Sequence, residues 1–301
     1  MNPAELEVVR ADFARRIQRE AGLRSSALVQ GLSVVPREHF VGAGPWNLLR
    51  PSAMERGYQL TEDDDPRHLY DTVLVALDPS RGLNNGEPSS LLRFLDALDL
   101  AAGDRFLHVG CGVGYYTAIA AQAVLPNGSV IGVEIDPQLA ERARQNLGPY
   151  ENVDVIFADG TAFADGPFDA IFVNAGATEV RSLWLDQLRE GGRLLVPLTV
   201  ALPMARRGAD PNASSSIYSN VGGGSTLLVT KRDGQHAARF VSPVAIFHCQ
   251  GARSEESEKL LAQAFRGGGH GDVRSLRRDP HSSNAECWLH ASGFCLSRSV
   301  V

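Results

Sequence analysis

Cysteine is scarce in this 301-residue chain: Cys111, Cys249, Cys287 and Cys295 are widely spread and form no Cys-x-x-Cys pair. Neither a disulfide framework nor a zinc ribbon is signalled, and the thiols read as reduced. His248-Cys249 and Cys287-x-x-His290 fall on strand-like segments with spacings that match no zinc run, so no metal ligand is expected. Positive charge is not in excess either. The 29 Lys+Arg against 35 Asp+Glu leave −6, which argues against a basic face for nucleic acid. No apolar run approaches a membrane span, and the first residues, MNPAELEVVRADFARRIQRE, are charged where a secretion signal would be apolar. A cytoplasmic protein with no nucleic-acid or membrane partner is expected.

What is present changes character along the chain. In residues 3–32, Leu6, Val9, Phe13, Ile17, Ala27, Leu28 and Leu32 recur every three or four positions, which predicts two helices parted near Gly22. Residues 42–68 are rich in Gly, Pro and Asp and read as an irregular surface segment. Then RFLHVG (105–110), SVIGVEI (129–135), VDVIFAD (153–159), FDAIFVN (168–174) and GRLLVPL (192–198) read as buried parallel strands. Helical patterns at 115–124, 137–147 and 179–190 lie between them, so the fold class is α/β with a doubly wound, Rossmann-like sheet. Residues 205–225 are Ser-, Gly- and Asn-rich and read as a loop or lid. STLLVTKR and ARFVSPVAIFHC, joined at Asp233-Gly234, read as a β-hairpin; a helix near 254–266 and one last strand over 286–297 follow. Three stretches are thus expected: an N-terminal helical cap with its irregular segment (1–80), an α/β core that holds the ligand (81–204), and a lid, hairpin and extension (205–301).

The sharpest chemical feature is His108-Val109-Gly110-Cys111-Gly112-Val113-Gly114-Tyr115, between a strand and a helix. Glycines there allow a tight turn and close ligand approach, while the helix N-terminus offers free N–H donors. A plain tight turn would explain the glycines alone. It would not explain Glu134 at the end of the next strand, where an acid accepts from ribose hydroxyls. Tyr115 stands where a dinucleotide fingerprint needs a small residue, so NAD is disfavoured. With Asp159-Gly160 after the third strand, the pattern fits S-adenosylmethionine: the 110–114 main chain near its methionine part, Glu134 on the ribose, and Asp159 beside the adenine amino group. This is the class I methyltransferase arrangement.

At these residues the chain resembles the protein-L-isoaspartate O-methyltransferases. ALVQGLSVVPREHFV (27–41) is similar to their N-terminal helix and VPR motif, and HVGCGVGYYTAIAA to their glycine block. FDAIFVNAGA with GGRLLVPL is similar to their fourth- and fifth-strand signatures, and TLLVTKRDG…ARFVSPVAIF to their C-terminal hairpin. The likeness runs over about residues 25–249. It implies their fold, S-adenosylmethionine as cofactor and a carboxyl or similar acceptor on a protein, peptide or small molecule. The chain departs from the pattern at Leu83, Asn84 and Gly86, in place of a glutamine, a threonine and a serine over the acceptor carboxylate. It departs again at His108 in place of glutamate and at Asn174 in place of threonine.

A carboxylate acceptor is ionised at pH 7, because its ordinary pKa is about 4, and needs no general base. Pocket formers are then the expected catalytic residues: Asn84, Asn85 and Glu87 in the acceptor loop, and Asn174 after the fourth strand. The cofactor set is His108, Gly110, Cys111, Gly112, Gly114, Tyr115, Glu134, Ile135, Asp159, Gly160 and Asn174. His108, on a buried strand, also fits a packed core histidine. Were the acceptor an amine or hydroxyl, Glu87 or His108 would be asked to take the proton. The alternatives to carboxyl methylation are methyl transfer to another peptide or small molecule, or cofactor binding without transfer.

Overall fold

A computed structural model describes residues 3–202 and 220–300, which fall into two compact units. The first holds the chain up to Asp104 and Cys111–Phe157; the second holds Arg105–Gly110 and everything from Ala158.

The first unit begins with α1 (Pro3–Ala21) and α2 (Ser26–Val34). Phe13, Ile17, Leu28 and Leu32 are buried, as the helical spacing demands. The joint between the helices is fixed by Asp96, whose Oδ1 accepts from the Arg24 and Ser25 amides at 2.9 and 2.8 Å. After the one-turn α3 (Glu38–Val41), four short strands, β1 (Asn47–Leu49), β2 (Gln59–Leu60), β3 (Leu74–Asp78) and β4 (Leu83–Asn84), form an antiparallel sheet in the order β2-β1-β3-β4. Residues 42–68 are therefore not an irregular surface segment. They carry part of a small core in which Val41, Trp46, Leu48, Leu69, Val73 and Val75 are buried together. Strands of two or three residues between turn formers leave no periodicity to read, so the apolar residues among them were the better signal.

Next comes α4 (Pro88–Ala97), and then β5 (Arg105–Val109), which belongs to the second unit. Back in the first unit, α5 (Tyr115–Ala123), β6 (Ser129–Glu134), α6 (Pro137–Leu147) and β7 (Val153–Phe157) follow, with β6 and β7 parallel from Val130↔Val153 to Glu134↔Phe157. β6 is buried along most of its length, but β7 is not: Ile156 and Phe157 are 37% and 52% exposed. The expectation of uniformly buried strands fails there.

In the second unit β5 pairs in parallel with β8 (Phe168–Val173), and β8 in parallel with β9 (Leu188–Ala201). Between β8 and β9 the expected helix over 179–190 shrinks to α7 (Ser182–Asp186). Gln187 stops it. Its Oε1 accepts from the Asp165 and Gly166 amides at 2.8 and 2.9 Å, and its own carbonyl accepts from Phe168 N at 2.7 Å, so the residue is committed to the start of β8. β10 (Val221–Arg232) and β11 (Gln235–Phe247) extend the sheet as an antiparallel hairpin. Asp233 and Gly234 both have positive φ, 51° and 74°, as a two-residue type I′ turn requires. Residues 221–225 are thus strand rather than lid; the rest of the expected lid, 205–219, lies outside the described residues.

After α8 (Glu255–Gly267), the strands β12 (Ser275–Arg277), β13 (Cys287–Ala291) and β14 (Phe294–Ser297) add antiparallel to β11 in the order β11-β12-β14-β13. The single strand expected over 286–297 is a hairpin that turns at Gly293, where φ is +88°. The parallel β6–α6–β7 segment and the parallel β5, β8 and β9 are the Rossmann-like parts of an α/β fold, with helices ahead of them and antiparallel strands after them. Among the described residues no helix is long and apolar enough to cross a membrane.

Candidate functional site

In the first unit the glycine loop is held by the end of β6. Cys111 N donates to Val133 O at 3.2 Å, and Gly112 N donates to Glu134 Oε2 at 2.8 Å. Glu134 Oε1 accepts from Asp136 N at 3.0 Å. One buried carboxylate, 6% exposed, therefore sets both the loop and the entry to α6. The backbone donors do not use all of its roughly four acceptor positions, which leaves a lone pair for a hydroxyl. Burial raises its pKa above the ordinary value, while the backbone N–H groups of Asp136 and Gly112 act the other way.

Gly112 has φ +59°, and a Cβ built on it would meet nothing within 4 Å. The main chain there is bare and open on one side, which is the form a ligand needs for close approach. Gly114 serves packing instead: its φ is +92°, and a Cβ would lie 2.6 Å from Leu147 Cδ1. The Tyr115 side chain turns into the interior, 1% exposed, edge-on to Phe40 at 5.5 Å and under the Arg37 guanidinium, so its ring is a core ring. Cys111 is buried, and burial with the nearby Glu134 charge pushes its thiol pKa well up. It stays protonated. Ile135 is 37% exposed at the end of β6, an apolar surface beside Glu134.

The expected acceptor loop lies in the same unit. Asn84 Oδ1 accepts from Gly86 N at 2.9 Å, closing a local turn. Asn85 is 8% exposed and tied through its amide to Val75 O at 2.9 Å, while its side-chain Nδ2 is buried with no hydrogen-bond partner among the described residues. Glu87 does other work. Its carboxylate caps α4, accepting from the Ser89 and Ser90 amides at 2.8 and 2.9 Å and from both serine hydroxyls. Four donors thus commit this carboxylate to the α4 N-cap, and it is here a helix cap.

Arg37, noted only as part of the VPR motif, proves central. It is fully buried, and its guanidinium donates to Leu69 O (2.7 Å), Asp71 O (3.2 Å), Val73 O (2.8 Å) and Gly86 O (3.4 Å). Tyr116 Oη also donates to Gly86 O, at 3.2 Å. The loop carbonyl is thereby fixed from two sides. Gly86 itself has φ +73°, and a Cβ there would stand 3.3 Å from Leu91 Cγ. Restoring a serine at this position should cost about 1–2 kcal/mol of backbone strain. Gly86→Ser is therefore expected to melt a few degrees lower and to gain no turnover; scanning calorimetry beside a methyl-transfer assay checks both.

In the second unit Gly110 has φ +74° and faces Asn174, whose Nδ2 donates to Gly110 O at 3.3 Å while its backbone N donates to Val109 O at 2.8 Å. Asn174 thus positions the first glycine. Asp159 Oδ1 accepts from Thr161 N and Oγ1, both at 2.8 Å, which orients the carboxylate and keeps Oδ2 out of those bonds. Gly160 has no room for a side chain, since a Cβ would lie 2.3 Å from Val109 Cγ1, and its carbonyl accepts from Trp184 Nε1 at 2.9 Å. His108 has no surface exposure and is stacked between Phe106 and Phe172, with centroids at 6.0 and 5.1 Å. Burial lowers its pKa to about 3, so it is neutral at physiological pH. Its ring packs the strand rather than lining a ligand surface.

An open glycine turn after a strand, an acid at the end of the next strand and a second oriented acid beyond the third are the marks of a class I S-adenosylmethionine-dependent methyltransferase. Solved structures agree on the fold. A protein-L-isoaspartate O-methyltransferase superposes over 89% of this chain and 72% of its own, with TM-score 0.61 and 23% identity. A putative one from Plasmodium falciparum, in complex with S-adenosyl-L-homocysteine, covers 80% of this chain and 98% of its own, with TM-score 0.57 and 19% identity. The sequence profile of the family described as Protein-L-isoaspartate(D-aspartate) O-methyltransferase matches residues 11–222. The Methanothrix thermoacetophila protein-L-isoaspartate O-methyltransferase is 36% identical over 178 residues, 58% of this chain and 74% of the relative. The chain belongs to this family, and its cofactor is S-adenosylmethionine.

Proposed function

We propose that this enzyme esterifies the free carboxylate of L-isoaspartyl residues in proteins or peptides. The observation that carries the acceptor side is the buried, unpartnered Nδ2 of Asn85, beside a Gly86 carbonyl held by Arg37 and Tyr116. An N–H donor kept without a partner in the acceptor loop suits a carboxylate oxygen. Asn84 shapes the turn that presents it. This acceptor calls for no general base, and Glu87, in the same loop, is committed to α4.

On the cofactor side, Glu134 would accept from the ribose hydroxyls, the bare main chain at Gly110 and at Gly112 would serve the methionine part, Asp159 would take the adenine amino group, and Ile135 would offer apolar surface to the nucleoside. S-adenosylmethionine, when bound, would supply an electrophilic methyl group to the carboxylate oxygen, the new O–C bond replacing the S–C bond to a departing thioether. The protein's contribution is to align the acceptor and exclude water, effects that in favourable systems reach about 7–11 kcal/mol.

The test is methyl transfer from labelled S-adenosylmethionine to two peptides that differ only in isoaspartate against aspartate. Base-labile label on the isoaspartyl peptide alone is the expected result. Label on both alike, or on neither while the cofactor binds, would overturn the acceptor assignment.

A further inference from the structure

The family match ends at residue 222, well before a cluster of side chains in the C-terminal strands. His281, Cys287, His290 and Cys295 bring one nitrogen or sulfur each to within 4.8 Å of one another. Cys287 Sγ lies 3.6 Å from His281 Nε2 and 4.0 Å from His290 Nδ1. We propose that these four residues form a structural zinc site that clasps β13 and β14 to the loop before them.

The donor set and its spacing fit. A tetrahedral Cys2His2 site, with Zn–S near 2.3 Å and Zn–N near 2.0 Å, has ligand–ligand edges of about 3.3–3.8 Å. The closest pairs here already have that separation, and the widest needs to close by only about 1 Å, within the reach of a χ adjustment. Two thiolates balance the charge of one Zn²⁺, so the site carries no net charge into its half-buried position. The second shell is also in place. His281 Nδ1 lies 2.8 Å from the Asp279 carbonyl, which fixes that nitrogen as the donor and aims Nε2 at Cys287.

The backbone is shaped to converge these residues. His290 and Cys295 stand directly opposite in the β13–β14 register. Cys287, three positions before His290, would in a regular strand point to the other face. The register shift between Cys287 and Leu289 inserts one residue, Trp288, and turns Cys287 back toward His290. His281 arrives from the loop after β12. The linear spacing His-x5-Cys-x2-His-x4-Cys resembles none of the usual zinc runs, which is why no metal ligand is expected from spacing alone. The convergence depends on the bulge, and composition does not encode it.

The experiment is elemental analysis and zinc titration of the full-length protein, purified under reductant without a metal-binding tag. About one zinc per chain is expected, with chelation lowering the melting temperature and added zinc restoring it. Co²⁺ in its place should give the intense visible bands of a tetrahedral thiolate site. Cys287→Ser with Cys295→Ser, and separately His290→Ala, should weaken zinc binding by about 100-fold or more. Cys295 is 1% exposed and its replacement can unfold the hairpin, so His281→Ala, at a more accessible position, provides an independent arm. Reduced wild-type protein that binds zinc no more tightly than these variants would overturn the proposal. So would an octahedral cobalt spectrum, or a Cys287–Cys295 disulfide that persists under reductant.

Discussion

Glu134→Ala is expected to weaken S-adenosylmethionine binding by about 100-fold or more while the chain stays folded. On the reading above the change removes a hydrogen bond from the ribose hydroxyls to a charged acceptor, worth roughly 1.5–3 kcal/mol, against about 1.4 kcal/mol per tenfold in affinity. It also releases the Gly112 amide from its 2.8 Å bond and the Asp136 amide from its 3.0 Å bond, so the loop and the start of α6 lose their common anchor. Glu134→Gln is not a silent control. Each carboxylate oxygen accepts one backbone N–H, and an amide has only one acceptor, so its NH2 must face a donor. The glutamine variant should therefore fall between wild type and alanine. Calorimetric titration with cofactor gives the ranking, and equal affinity for wild type and Glu134→Ala would remove Glu134 from the cofactor site.

The same carboxylate sets a pH dependence. Burial raises its folded pKa above the ordinary 4.5, so between that value and the raised one the native chain holds a proton that the unfolded chain has lost. Its contribution to stability accordingly falls as pH rises through this window. Cofactor affinity moves the opposite way, because the ionised form is the better acceptor for a hydroxyl, and it should rise with pH and then level off. Titrations upward from pH 4.5 should show this rise in wild type and lose it in Glu134→Ala.

How much of this was legible before the fold depends on how local each cause is. The glycine turn, the strand before it and Glu134 after it lie within one strand-helix-strand unit, and the periodicity over 105–147 carries them. The exposure of Ile156 and Phe157 was not legible, because a run of apolar residues reads alike whether or not an element covers it. The capping role of Glu87 was not legible for a chemical reason: Glu-Pro-Ser-Ser is both a polar loop and a good helix start, and only the bonds to Ser89 and Ser90 show the cap. The core role of Trp46 was missed because strands of two or three residues leave no period, and the convergence of Cys287 and His290 on Cys295 rests on a single bulge that leaves none either. Arg37 was visible in its motif, but its partners lie 32 to 49 residues further along, and nothing in the local sequence points to them.

That long reach makes Arg37 the place where one substitution should damage both stability and acceptor recognition. Its Nη1 and Nη2 serve separate carbonyls, Leu69 and Asp71 from one, Val73 and Gly86 from the other. Arg37→Met leaves those oxygens inside the unit without donors, at about 1–3 kcal/mol for each that finds no other partner, which should total roughly 3–5 kcal/mol after relaxation. Arg37→Lys supplies a point ammonium where a rigid fork is required, so it should recover part of the melting temperature at best. A purely structural role would lower stability and leave the kinetics of the surviving folded enzyme unchanged. Because Arg37 holds the Gly86 carbonyl next to Asn85, the expected signature instead includes a peptide KM raised about tenfold in Arg37→Lys, assayed well below its melting point, with cofactor affinity near wild type. Peptide KM equal to wild type in that variant would confine Arg37 to the scaffold and leave the orientation of Asn85 to Tyr116 and the Val75 carbonyl.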